Sequence, residues 1–354
     1  MSEQESLQPN PSFDLADSQK ESNIGDEKEK GISPEEVRKQ LEQNTISKYQ
    51  RLLDVINSSL KNDKISQEQY NQSIANIDHL SEKELGFKVT EKYTSQEKAK
   101  EIMGNDYLGF EAVEKAFGIK LEFNEIPAIP FSREELERAK ELGQMLILRQ
   151  PITMEQINDS LGGKVKDGKK LLYSVDESTG KLKDDAWYKD EEFYTNEKPE
   201  AKWVLVSKEV IPDSESKNYL DQTDKIVGYL QNQVFKDKLM PKEYQEAIDD
   251  YLKAKVEIAK TMESDWKKAA KMLEGLKITE LTRQSPAEVL YDLTLYFQTN
   301  GEKLLPNRYA WTKRRGSGGE LVRVGAFDSD GVFVRSYGPG RSRDDLGVSF
   351  SRSQ

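Results

Sequence analysis

Cysteine is absent from this 354-residue chain, and histidine occurs once, at His79. Without cysteine there is no disulfide, no thiolate metal site and no thiol nucleophile. A reducing cytoplasm is the simplest compartment for such a chain. A single histidine rules out two-histidine metal motifs. A Ser-His-Asp triad would need a nucleophile and an acid that nothing in the sequence marks. His79 lies in the polar run from Asn76 to Glu84, where a surface or helix-end position is expected. No stretch approaches the ~20 consecutive apolar residues of a membrane-spanning helix. The first twenty residues carry neither the basic nor the apolar region of a signal peptide. Gly316-Ser317-Gly318-Gly319 lacks the spacing of a phosphate cradle and reads as a loop between strands. These absences leave no catalytic residue, metal ligand or cofactor that the sequence itself assigns, and no membrane contact is expected.

Apolar residues are also scarce. They make up 35% of the chain and charged residues 33%, against averages of about 45–50% and about 25%. A modest core beside solvated helices or tails is expected. The net charge of −11 disfavours a polyanion partner for the chain as a whole, because like charges repel at long range.

The pattern along the chain implies an α+β fold: mainly helical, with a small antiparallel sheet in the middle and a β-rich C-terminal segment. Residues 1–33 hold eight acids against three lysines and few apolar residues, so a disordered tail is expected. Helical spacing from Val37 to Leu60, then from Tyr70 to Leu80, implies a helical hairpin over 34–80. Its apolar stripe is narrow and calls for cover, either from the rest of the chain or from a protein partner. Residues 94–305 read as a mixed core. A capping box opens a helix at Ser132, Ser285-Pro286-Ala287-Glu288 opens another, Met145–Leu148 and Trp203–Val206 read as buried strands, and a long helix is split near Ser264. A hairpin is expected over 170–188 around Glu177-Ser178-Thr179-Gly180.

Residues 306–354 change character. Glycine and serine rise, polar and apolar residues alternate, and Asp328-Ser329-Asp330-Gly331 marks a hairpin turn. Nine basic side chains stand against five acidic ones, a local net of +4. Lys313, Arg314, Arg315, Arg341 and Arg343, with Trp311 and Tyr337 interleaved, are the candidate nucleic-acid contacts, since cations beside aromatic platforms suit single strands. Strand parity divides the strand arginines, with Arg335 on the face of Val322, Val324, Phe333 and Tyr337 and Arg323 on the other. The competing expectation is a basic tail docked on acidic helices of its own chain. Asp190, Glu191 and Glu192, beside Trp187, Tyr188, Phe193 and Tyr194, are candidate carboxylates for a hydrolase acting on glycans, which needs two facing carboxyls. The reading that asks least of the residues is a non-enzymatic interaction or scaffold protein. A nucleic-acid binder using 306–354 and a carboxylate-dependent hydrolase are the alternatives.

Overall fold

The structure is a computed structural model describing residues 33–121, 125–165, 168–175, 182–183 and 186–354. The expected disordered tail 1–33 lies outside these residues apart from Ser33, and so does the turn at 177–180.

The chain divides into two units, 1–40 and 41–354. The described part of the first is Ser33 and the opening turns of helix α1 (Pro34–Lys61), whose described side chains are exposed.

The second unit continues α1 and adds α2 (Gln67–Leu85) through the turn at 62–66. Ser66 and Gln69 cap α2 reciprocally, and Gly86 ends it in the left-handed conformation. These local signals set where α2 begins and ends, and the end falls five residues beyond the expected one at Leu80. Tyr49, Leu53, Ile77 and Val89 make a small core of their own for it. Four short helices follow: α3 (Val89–Lys92), α4 (Gln96–Met103), α5 (Phe110–Phe117) and α6 (Arg133–Glu141). Strand β1 (Tyr107–Leu108) lies between α4 and α5, and β2 (Gln144–Arg149) follows α6. Beyond these come α7 (Met154–Ser160), β3 (Leu172–Val175), β4 (Leu182–Lys183), α8 (Glu192–Thr195) and β5 (Lys202–Ser207). A helical block then runs through α9 (Tyr219–Tyr229), α10 (Lys242–Ser264), α11 (Trp266–Glu274), α12 (Lys277–Thr282) and α13 (Pro286–Asn300). The break expected near Ser264 falls at Asp265, whose side chain caps α11. The chain ends in β6 (Tyr309–Arg315), β7 (Leu321–Asp328), β8 (Gly331–Tyr337), β9 (Leu346–Gly347) and β10 (Ser351–Arg352).

The strands form two sheets, in the orders β1-β2-β5-β10 and β4-β3-β8-β7-β6-β9. The middle strands join C-terminal ones in both: β5 pairs with β10, and β3 runs parallel to β8. The C-terminal segment is thus woven into both sheets. Helix α13 packs on β2, β6 and β7 and is buried from Pro286 through Phe297, a stretch that is mostly apolar but includes Glu288 and Asp292.

The larger sheet is covered on both faces. Ala310, Val322, Val324 and Val334 belong to the core that includes α13. Tyr309, Trp311, Leu321 and Phe333 belong to the core built with α9 to α12. Arg323 joins this second face. It lies directly opposite Trp311 and Arg335 on the flanking strands, not on the face that parity gave it. The cause is a bulge between Gly325 and Asp328, which adds one residue to β7 and inverts the alternation beyond it. Gly325 and Ala326 adopt φ of 149° and 47° there. Arg323 is buried between the rings of Tyr309 and Tyr337, at 3.9 and 4.2 Å.

Candidate functional site

Three places collect the residues that could act on something outside the chain. The first is α1. Its inner face buries Ile46, Tyr49 and Leu53. Gln50 holds it down by donating to the carbonyls of Thr94 and Ile129, and Asn57 donates to Ser95. Its outer face leaves Leu41, Leu52 and Val55 in solvent, at 62%, 42% and 63% exposure.

The second is a groove of about 730 Å³. It brings together two sets of residues that the sequence marks separately, because α8 meets the end of β6 and the loop after it. Asp190, Glu191 and Glu192 line it together with Arg314 and Arg315. Glu191 and both arginines are already engaged within the chain. The Glu191 carboxylate accepts from the Ser317 amide and hydroxyl at 2.8 and 2.7 Å. Arg315 donates to Glu274 at 2.7 Å. Arg314 bridges Glu197 at 2.7 Å and Glu280 at 3.2 Å. Lys313 binds Glu280 at 2.8 Å and lies 3.4 Å from Glu288. Arg343 is held by Asp345. Trp311 is buried, Tyr337 is half-buried, and Arg341 is exposed with its guanidinium 5.5 Å from the Tyr337 ring. The sequence-marked cations therefore do not converge on one open surface.

The third is a cleft of about 300 Å³ that shares Glu197 and Arg314 with the groove. Arg149, at the end of β2, forms part of its lining. Its buried guanidinium takes Asp292 in a two-pronged pair at 3.1 and 2.5 Å, and Glu288 at 2.8 Å. Glu288 and Asp292 stand one turn apart on α13, which aims both at the same guanidinium. Burial pushes the Glu288 carboxyl up, but Arg149 and Lys313 outweigh it and hold it at about 2. Burial dominates at Asp292, which is pushed up to about 6 against the pull of Arg149 and Gln284. Both remain ionised at neutral pH. Burial raises the carboxyl of Glu197 despite Arg314.

Sequence reasoning missed Arg149, Arg283, Glu288 and Asp292. The signal for the acids was present: two carboxylates inside the otherwise mostly apolar run from Pro286 to Phe297 must have partners. Arg149 likewise closes the apolar strand Met145–Leu148.

His79 is exposed on α2. Among the described residues, no helix is long and apolar enough to cross a membrane. No protein-family model matches the chain, and neither a curated protein nor a solved structure does.

Proposed function

We propose that the chain is a non-enzymatic interaction protein that seats a protein partner on the outer face of α1. One observation carries this reading: α1 has apolar side chains on two faces and the described residues cover only one of them. At 100° per residue, Leu41, Leu52 and Val55 fall within an arc of about 60°, roughly 120° round the helix from Ile46, Tyr49 and Leu53. A surface helix ordinarily turns polar residues to water, and apolar side chains aligned along one solvent-facing arc are what a helix-in-groove partner takes up. Lys48 shares the outer arc and is exposed, so the fitting partner is an apolar helix or groove carrying an acidic group.

The charged groove supports the same choice. Lys313, Arg314, Arg315 and Arg343 are each held by carboxylates of this chain, so a nucleic-acid backbone would have to displace them. The Glu191 carboxylate is engaged by Ser317, which leaves the hydrolase reading without the facing pair it needs. The absence of cysteine supports a cytoplasmic setting.

The test is co-purification from an extract of the native cells, with the tagged full chain as bait. The triple variant Leu41→Lys, Leu52→Lys, Val55→Lys is compared with a control, Leu252→Lys and Val256→Lys, altered at exposed apolar positions of α10. The proposal expects a partner retained by the wild type and the control and lost by the triple variant. Equal recovery on all three baits would refute it.

A further inference from the structure

We propose that the larger sheet binds a small oxyanion, a phosphate or a carboxylate group, on the paired guanidiniums of Arg323 in β7 and Arg335 in β8. The inference stands apart from the docking reading and uses none of its residues.

Register is the first reason. The two arginines are directly opposite each other on neighbouring antiparallel strands. Side chains so placed leave the same face of the sheet with Cβ atoms about 5 Å apart. Two cations are therefore set side by side, an unfavourable pair that a shared anion relieves. Among the described residues neither is paired with a carboxylate, whereas the buried Arg149 takes two.

The unused donors are the second reason. Arg323 is 1% exposed, and its Nε and Nη1 have no acceptor. The Nε of Arg335 is buried and has none either. The rings of Tyr309 and Tyr337, at 3.9 and 4.2 Å from Arg323, attract its charge but leave these N–H groups unbonded. A buried cation without a counter-charge is costly. Burial lowers the pKa of Arg323, and Arg335 adds to the effect, as expected of a charge beside its like.

The two guanidiniums also converge. Burial raises the pKa of the Tyr309 hydroxyl, while Arg323 and Arg335 both pull it down, so charges from two strands act on one ring. Asp345 acts on Arg323 as well, but both its oxygens accept from Arg343, at 2.8 and 3.1 Å. The cluster reaches solvent at the end of β8: Arg335 and Tyr337 are half-buried, and the exposed Arg341 lies 5.5 Å from the Tyr337 ring. The planar fork of a guanidinium matches the oxygens of a carboxylate or a phosphate. Arg323 is enclosed by two rings and the sheet, so a terminal oxyanion group suits it and a polymer backbone does not.

The experiment is isothermal titration calorimetry of the full chain with inorganic phosphate and, separately, with succinate, in chloride buffer of matched ionic strength. Arg323→Met and Arg335→Gln are measured in parallel, with Arg133→Gln, which removes an exposed cation of α6, as the control for net charge. Saturable binding of either anion supports the site, and the anion that binds identifies phosphate or carboxylate as its chemistry. Arg323→Met and Arg335→Gln should each weaken binding by roughly tenfold or more, the value of one charged hydrogen bond, and Arg133→Gln should leave it unchanged. Should circular dichroism show that Arg323→Met does not fold, the half-buried Arg335→Gln carries the test alone. No saturable heat with either anion, affinity unchanged in the folded variants, or an equal loss in Arg133→Gln overturns the proposal.

Discussion

Arg149, Glu288 and Asp292 show how single residues are forced to carry ionised charge inside this protein. A lone buried ion is prohibitive, so one guanidinium is given two carboxylates, with Lys313 close by. Removing one member of such a set leaves the others unpaired, which costs about 3–5 kcal/mol. The arrangement also fixes a pH dependence. The Glu288 carboxyl lies at about 2 in the folded chain, below its value of about 4.3 in an unfolded one. Its contribution is complete above the unfolded value and is lost as the pH falls toward the folded one. Glu288→Gln should therefore be less stable than the wild type at neutral pH. The gap should narrow between about pH 5 and pH 3 as the wild type surrenders this term. Urea unfolding across that range measures it, and a gap that stays constant would show that Glu288 is not held ionised by its neighbours.

Among the elements, those governed by local rules were legible in the sequence. Ser66, Ser132 and Ser285 open helices with reciprocal caps, and Asp328 pairs with Gly331 across the expected tight turn. Parity failed in β7 because one bulge residue inverts every later assignment, and nothing in Val324-Gly325-Ala326-Phe327 announces it except the glycine. That error separated Arg323 from Arg335, which the structure sets side by side. The site was legible only in part: Glu191 and Arg314 were marked, but their meeting depends on a contact between α8 and β6 that no local pattern encodes. The bulge makes its own prediction. A Cβ on Gly325 would lie 2.3 Å from the Arg308 carbonyl oxygen, at a φ of +149° that side chains rarely adopt. Gly325→Ala should destabilise by at least the roughly 1–3 kcal/mol that a side chain held in so sparsely populated a backbone region costs, and should shift the thermal midpoint down by several degrees. An unchanged midpoint would mean that β7 can straighten without loss.

For the whole molecule, the balance of charge and apolar surface decides the reading. The C-terminal segment carries an excess of cations, and Glu197 just beyond α8, Glu280 of α12 and Glu274 of α11 meet Arg314, Lys313 and Arg315. The basic tail is thereby spent on the acidic chain that bears it, while apolar surface on α1 remains unspent. The central claim is that this outer face of α1 is where another protein sits. It is tested most directly by placing a photo-crosslinking residue at Leu52 in the full chain, with Leu252 on α10 as the reference position, and irradiating in the native cells. The account predicts a discrete crosslinked species from position 52 that position 252 does not give. The same pattern from both positions, or none from position 52, would contradict it.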